Sequence, residues 1–293
     1  MVVEGASRRA IRERYGTLRE MEEARLGRGT YTDDTRMAAD LARALLDGGG
    51  VLDPDAVARR FGEGYEPARG YGGNTRRILE AIRSGTPWRE AARRFELPGG
   101  SWANGAAMRV APVALAFPDD AAAVREAALS QARITGHNHP LGRAGAVLQA
   151  LAVREALERG AAGGPIETRG FLDAVRLAHD AWPDEFEEAL RWIEENPDAP
   201  PGDAVRALGT GARASRSVPA ALWAFLSGSE DAEAAIVRAV NLGGDADTIG
   251  AMAGALAGAY RGADALPRRW LDTLEDGPGG RSDLVELADR LFE

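Results

Sequence analysis

Residues 241–260 read NLGGDADTIGAMAGALAGAY: a double glycine and two aspartates lead into a stretch of small and mainly apolar side chains. Gly250, Gly254 and Gly258 recur at four-residue spacing and therefore share one face of a helix. A glycine inside a helix costs about 1 kcal/mol relative to alanine, so we expect close packing against a neighbouring helix to be the reason. The stretch predicts a central, buried helix that begins at a glycine turn.

The remainder of the chain also has a helical pattern. Alternation of β-branched and polar residues is nearly absent, whereas apolar residues recur at helical spacing. Asp53-Pro54 is typical of a helix N-cap followed by proline, and Ser217-Val218-Pro219 predicts another helix start before 220–226. Glycine-rich breaks, one of them at 160–165, are short enough to be helix connections. We therefore expect an all-α fold of ten or more helices, with residues 1–293 forming one domain.

Composition narrows the class of protein. The chain has 293 residues, 45% of them hydrophobic, a net charge of −9 and no cysteine. A disulfide framework and thiolate chemistry are excluded, and the scattered basic residues do not form the basic face that nucleic acid requires. The N-terminus does not have the pattern of a signal peptide, and no apolar run approaches about 20 residues. We expect a cytoplasmic protein without nucleic-acid or membrane partners.

Two acidic segments carry the candidate chemistry. Thr30–Thr35, TYTDDT, precedes an amphipathic stretch, and the second segment is the GGDADT of residues 243–248. Each segment places two carboxylates and a threonine where a loop becomes a helix, which is also where acidic residues act as ordinary caps. Four converging carboxylates would repel one another unless cations neutralised them. Such hard oxygen ligands favour Mg²⁺, Mn²⁺ or Ca²⁺ over zinc or copper.

Other acidic motifs do not fit the sequence. An EF-hand loop starting at Asp245 would need an oxygen ligand at Ile249 and a glutamate at Leu256. Phosphatases with an aspartyl nucleophile carry their paired aspartates after a buried strand, whereas 232–240 has a helical pattern. A P-loop motif is absent from the sequence.

Thr32-Asp33-Asp34-Thr35, followed by the amphipathic stretch, and the late GGDADT of 243–248 together resemble the ADP-ribosylglycohydrolase family. Two intermediate segments agree with this resemblance. The SWANGAAMRVAP of 101–112 is similar to the family's asparagine-glycine substrate loop, and the HNHP of 137–140 to its histidine-proline segment. Gly136 stands where the family often has threonine. The resemblance spans nearly the whole chain.

This resemblance implies a compact orthogonal bundle of helices that holds a binuclear magnesium centre, with two Mg²⁺ ions or, as an alternative, Mn²⁺. The metal ligands would by position be Thr32, Asp33, Asp34, Asp245, Asp247 and Thr248. The substrate-binding residues would be Gly100, Ser101, Trp102, Asn104, Gly105 and His137. From the residues alone, Asn104 is equally well explained as a helix cap and His137 as a surface or capping histidine.

Glu4 matches the position of one further acid in the family, a glutamate that closes a Gly-Asp-Ala…Pro-x-Glu stretch. The Gly-Asp-Ala helix that precedes this glutamate in the family does not appear before Glu4: either the chain was started too late or the protein has lost this helix. We therefore expect Glu4 to be less firmly held than Asp33 or Asp245. The resemblance leaves either Glu4 or Asp34 as the acid/base catalyst.

The function implied is metal-dependent hydrolysis of the N- or O-glycosidic bond between ADP-ribose and an acceptor. The acceptor is a protein side chain or a small molecule: arginine, serine, a guanidine compound, a base and an acyl ester all stay open. The alternative is a family member that binds ADP-ribose, or has a crystallin-like role, with little or no turnover. The presence of all four aspartates favours a working metal centre.

Overall fold

Helices account for all the regular secondary structure in the part of the chain that the computed structural model describes, residues 2–292. Sixteen α-helices occur in these residues: α1 Arg8–Tyr15, α2 Asp33–Asp47, α3 Pro54–Glu63, α4 Gly73–Arg83, α5 Trp88–Arg94, α6 Ala111–Ala116, α7 Ala121–Ile134, α8 Pro140–Ala162, α9 Thr168–Leu177, α10 Asp184–Glu195, α11 Pro201–Leu208, α12 Ala214–Leu226, α13 Ala232–Val240, α14 Ala246–Arg261, α15 Arg268–Leu271 and α16 Arg281–Phe292. Short 3₁₀ turns lie at Pro67–Arg69, Asn104–Ala106 and Ala263–Ala265. The prediction of an all-α fold is confirmed.

Helix α14 lies at the centre of the fold, packed against α8, α12 and α13, as the sequence predicts. The glycine stripe explains this packing only in part. A Cβ on Gly250 would lie 2.9 Å from Val240 Cγ2, whereas a Cβ on Gly254 would make ordinary contacts and one on Gly258 would have no neighbour within 4 Å. The closest approach to α14 is made by a glycine of α8, because a Cβ on Gly160 would lie 2.4 Å from the Tyr260 carbonyl oxygen. Gly160 lies within α8, so its assignment to the helix connection at 160–165 is wrong. The packing explanation is also wrong for Gly258.

The helix starts show the same mixture of outcomes. Helix α3 begins as predicted, with the Asp53 side chain accepting a hydrogen bond from the Asp55 N–H. The start predicted at Ser217 is wrong because α12 begins at Ala214 and runs through Pro219 in its second turn. A proline there leaves only one carbonyl of the helix, that of Ser215, without its usual donor.

One hydrophobic core runs through most of the helices, from α2 to α14. Its largest fully buried side chains include Trp223, Phe61, Phe171, Phe186 and Phe225. Among residues 2–292 no helix combines the length and the apolar character needed to cross a bilayer. The extent of the domain, predicted as 1–293, stays a prediction.

Candidate active site

The first acidic segment lies at the start of α2. The apolar face of this helix, with Met37, Leu41 and Leu45, is fully buried and anchors its N-terminal turn. Thr32 is the N-cap residue in extended conformation, but its hydroxyl donates to Asp34 Oδ2 at 2.5 Å and caps no backbone group. Explaining this segment as ordinary helix capping is therefore wrong.

The second acidic segment turns through two glycines in the left-handed region, Gly243 at φ 78° and Gly244 at φ 72°. The turn is pressed against a neighbouring loop, since a Cβ on Gly244 would lie 2.2 Å from the Thr210 carbonyl oxygen. That same carbonyl accepts from the Asp245 N–H at 2.7 Å. Asp245 is the N-cap residue of α14 yet makes no capping hydrogen bond, and Asp247 lies in the first turn. Capping does not explain these carboxylates either.

A backbone pairing joins the N-terminal segment to this turn. The Gly5 N–H donates to the Gly244 carbonyl at 2.7 Å, and the Gly244 N–H donates to the Ala6 carbonyl at 2.8 Å. The pairing brings the Glu4 carboxylate to Asp245 and Asp247, with one oxygen of each within 4.8 Å of the others. Glu4 is exposed while the two aspartates are half-buried. The expectation that Glu4 is less firmly held stays a prediction.

Crowding of the carboxylates changes their ionisation. Burial raises the pKa of Asp33 to about 8, and the charges of Asp34, Asp247 and Glu4 add to this. Burial likewise raises the pKa of Asp247 to about 7, with the charges of Asp34, Glu4 and Asp245 contributing. The pKa of Asp34 is also raised, by burial first, although the hydrogen bond from Thr32 opposes the shift. Near neutral pH these acids therefore carry less negative charge than ordinary carboxylates would.

The donor set fits hard divalent cations. Asp34 Oδ1 and Asp247 Oδ1 are both buried and without a hydrogen-bond partner among residues 2–292. A buried carboxylate oxygen without a partner is costly, and a bound cation would satisfy it. The predicted ligands Thr32, Asp33, Asp34, Asp245, Asp247 and Thr248 all come together around these two atoms.

A cavity of about 340 Å³ opens above the carboxylates. Its wall includes Glu4, Asp33, Asp245, Asp247 and Thr248, whereas Asp34 lies behind the wall and is 3% exposed. The structure places Gly70, Gly72, Gly73, Asn74 and Thr75 in the wall as well.

Asn104 links the predicted substrate loop to the acidic cluster. Its Nδ2 donates to Asp245 Oδ2 at 2.6 Å and to Ser217 Oγ at 2.9 Å. The residue starts a 3₁₀ turn, and α6 begins only at Ala111, so the alternative of Asn104 as a cap is wrong. Ser217, which the sequence offered only as a helix start, is therefore a partner of the site.

The rest of the loop divides into wall and support. Ser101, Trp102 and Gly105 line the cavity, and Trp102 is 47% exposed at its rim. Gly100 is not in the wall: its N–H donates to the Leu97 carbonyl, and a Cβ there would lie 2.4 Å from the His139 nitrogen. Gly100, which the resemblance implies as a substrate-binding residue, is therefore held against the His139 backbone and does not line the cavity.

The two histidines of the HNHP segment have different positions. His139 caps α8 by accepting from the Leu141 N–H at 3.1 Å. His137 is buried against the cavity wall, and a Cβ on Gly105 would lie 2.9 Å from its Nε2. Burial, with the charge of Arg109, lowers the pKa of His137 to about 3, so the ring is neutral. The surface interpretation of His137 is wrong.

An all-helical fold, a carboxylate cluster that fits divalent cations and an asparagine loop above it define the class of this protein. The family model described as ADP-ribosylglycohydrolase matches residues 1–293. The chain belongs to the ADP-ribosylglycohydrolase family, and the prediction of a glycosidic-bond hydrolase with the fold of that family is confirmed.

Individual relatives agree with this assignment. The chain is 35% identical to ADP-ribosylhydrolase ARH3 of Xenopus tropicalis over 300 residues, which covers 90% of this chain and 81% of the relative. It is 34% identical to ADP-ribosylhydrolase ARH3 of Homo sapiens, over 90% of this chain and 79% of the relative. A solved structure described as an ADP-ribosylglycohydrolase-related protein complex is 34% identical, with a TM-score of 0.70 over 94% of this chain and 87% of its own.

Proposed function

We propose that this enzyme releases ADP-ribose from an acceptor by hydrolysing the glycosidic bond at the distal ribose, with two Mg²⁺ ions, or Mn²⁺, held by the acidic cluster. The observation that supports the proposal is the pair of orphaned, buried oxygens, Asp34 Oδ1 and Asp247 Oδ1, in a ring of carboxylates with raised pKa values. The cations would be held by Thr32, Asp33, Asp34, Asp245, Asp247 and Thr248. When bound, such a pair orients ribose hydroxyls and lowers the pKa of a coordinated water.

Glu4 is the better candidate for the acid/base residue. A group that moves a proton to or from the reacting atoms must reach them. The Glu4 carboxylate is exposed in the cavity wall, whereas Asp34 lies behind the wall and accepts a hydrogen bond from Thr32. Because cleavage of a glycosidic bond develops positive charge on the sugar, a carboxylate near the ribose also stabilises the transition state.

The substrate loop has a separate task. Asn104 holds the Asp245 carboxylate, and Ser101, Trp102 and Gly105 form the wall where the rest of ADP-ribose would lie. The half-exposed Trp102 ring at the rim offers an apolar face to a base or an acceptor. Acceptors linked through arginine, serine, a guanidine compound, a base or an acyl ester all stay open. The predicted cytoplasmic location and the absence of nucleic-acid or membrane partners stay predictions.

The decisive experiment measures release of ADP-ribose from a panel of these acceptors, with Mg²⁺ and with chelator. We expect release only with the cation, and loss of it in Asp247→Ala while the protein stays folded. Asp264→Asn, which changes an exposed acid on the far 3₁₀ turn, is the matched control and keeps its activity. Binding of ADP-ribose without release from any acceptor would favour the alternative of a binding protein. Release at an unchanged rate in chelator would contradict the metal centre.

A second experiment separates the two candidate acids. Glu4→Gln is expected to lower kcat by about 100-fold or more, as loss of an acid/base group typically does, with little change in the Kd for ADP-ribose. Asp34→Asn is expected to weaken cation binding, and should therefore lower kcat and raise the Kd for ADP-ribose. Crystals soaked in Mn²⁺ give the ion positions directly by anomalous scattering. If Glu4→Gln turns over normally, Asp34 becomes the leading candidate.

A further inference from the structure

A fully buried arginine, Arg109, follows the residues of the substrate loop that line the cavity. The guanidinium of Arg109 donates from Nε to Gln131 Oε1 at 2.6 Å, and from Nη2 to the Gln131 carbonyl at 3.0 Å and to Thr135 Oγ1 at 2.8 Å. Its Cζ lies 4.7 Å from the centroid of the Phe61 ring. None of these groups lines the cavity, and the proposed chemistry does not use them.

These hydrogen bonds have a fixed direction. A guanidinium has donors and no acceptor, so the Thr135 oxygen must accept from Arg109. The same hydroxyl lies 2.9 Å from His137 Nδ1. Thr135 is fully buried, and its hydroxyl has no other partner among residues 2–292. Its own proton must therefore go to Nδ1, because the opposite arrangement would leave that proton buried without an acceptor.

We propose that Arg109 and Thr135 are positioning residues that keep the single ring proton of His137 on Nε2. The chain of donors runs in one direction, from the guanidinium to the hydroxyl and from the hydroxyl to Nδ1. In a neutral imidazole, a nitrogen that accepts leaves the other nitrogen as the donor. His137 consequently presents an N–H at Nε2, where the opposite tautomer would present a lone pair.

The donor faces the place where a ligand would bind. Nε2 lies against Gly105 in the cavity wall and has no hydrogen-bond partner within the described residues. This part of the inference rests on the proposed function: the acceptor is an oxygen of bound ADP-ribose, on its diphosphate or on a ribose. A lone pair at Nε2 would repel such an oxygen, so the tautomer selects for a ligand rich in acceptors. The absence of a side chain at Gly105 leaves room for the contact.

The first test reads the tautomer without any ligand. The chain has three histidines, so protein labelled with ¹⁵N-histidine gives few ring signals, and His137→Gln identifies those of His137. We expect His137 Nδ1 to have the ¹⁵N shift of an unprotonated nitrogen and Nε2 that of a protonated one. The reverse pattern would refute the inference. Because no ligand is present, this result is independent of whether the proposed function is right.

The second test removes only the hydroxyl relay. Thr135→Val deletes the group between Arg109 and His137, and Thr135→Ser keeps it as the matched control. We expect Thr135→Val to broaden or shift the His137 ring signals. It should also weaken binding of ADP-ribose about tenfold, the loss expected for one oriented hydrogen bond. The effect should fall on Kd and KM more than on kcat, and Thr135→Ser should restore all three. Unchanged signals and affinity in Thr135→Val would refute the inference. Loss of ADP-ribose binding by the wild type, with the expected tautomer, would instead refute the proposed ligand.

Discussion

Without cations, the acidic cluster should make the folded protein less stable as the pH rises. Burial and neighbouring charges raise the pKa of Asp33 from 3.8 to about 8 and that of Asp247 to about 7. Between the unfolded pKa of 3.8 and the folded pKa of about 8, the folded state binds more protons than the unfolded chain. The free energy of unfolding therefore decreases as the pH rises through this range. The contribution is most favourable below about pH 4 and is lost progressively up to about pH 8, the reverse of an ion-paired carboxylate.

The size of the effect follows from the pKa of Asp33. A carboxyl group with a pKa of 3.8 unfolded and about 8 folded loses about 2 kcal/mol of stability between pH 6 and pH 8. The raised pKa of Asp247 adds a smaller loss of the same sign, so the figure for Asp33 is a lower bound. For a chain of 293 residues, the loss corresponds to a fall in Tm of about 4 °C. Cations bind the ionised carboxylates, so Mg²⁺ should reduce or reverse the slope.

The assay is thermal unfolding at pH 6 and pH 8, in chelator and in Mg²⁺, with two variants on the same helix. Asp33→Asn removes a repelled charge and should raise the Tm in chelator at pH 8 while abolishing stabilisation by Mg²⁺. Asp40→Asn is the matched control, because this buried carboxylate accepts from Arg36 at 3.3 Å and Arg43 at 3.1 Å. Its loss removes the Asp40 partner of Arg43 and leaves Arg36 with Glu66, at 2.7 Å, and should destabilise by about 1–3 kcal/mol.

Two results would refute the reasoning. A Tm in chelator that does not change between pH 6 and pH 8 would mean that the carboxylates are not strained by one another. A lower Tm for Asp33→Asn, similar to that of Asp40→Asn, would mean that Asp33 is compensated within the protein. In either case the argument for a cation site from electrostatic strain would fail.

Two further predictions concern the substrate loop. Asn104→Asp places a carboxylate 2.6 Å from that of Asp245 and should lower turnover by about 100-fold or more, measured by ADP-ribose release; near-normal turnover would contradict the role of Asn104. Gly105→Ala places a methyl group 2.9 Å from Nε2 of the buried His137 ring, which must shift, and should therefore weaken ADP-ribose binding in calorimetry and lower the Tm. Gly258→Ala is its control: it meets nothing within 4 Å and should raise stability by about 1 kcal/mol, and a loss of stability there would contradict the packing described for α14.

The sequence was sufficient for the parts of the fold that depend on local pattern. Helical spacing predicted an all-α protein, and Asp53-Pro54 marked the start of α3 because capping is a property of adjacent residues. The start of α12 was missed because Pro219 is tolerated inside a helix when only one hydrogen bond is lost. Gly258 was misjudged because spacing along a helix does not show whether another helix covers that face.

The candidate site divides in the same way. The acidic residues at two helix starts predicted which carboxylates would lie together. Carboxylates that repel one another are explained by a shared cation site. The partners that hold them could not be predicted from the sequence. Thr210 contributes only a backbone carbonyl to Asp245, and Ser217 lies 113 residues from Asn104. The sequence did contain one signal for Arg109. A single charged residue between Met108 and the apolar stretch 110–116 indicates an arginine that is buried together with that stretch.

The backbone around the second acidic turn explains how the fold withstands its own repulsion. The N-terminal segment, the Thr210 loop and the start of α14 are joined by hydrogen bonds of 2.7–2.8 Å between main-chain groups. Main-chain hydrogen bonds do not change with the ionisation of Asp245 or Glu4, so they hold the segments together whether or not a cation is bound. The cluster can therefore be assembled before the cation arrives, and the cost of that assembly is paid in stability. Substitutions at Gly243 or Gly244 disturb this hydrogen-bonded turn. They should therefore lower cation affinity more than substitution of a residue that only neighbours a metal ligand on α2 or α14.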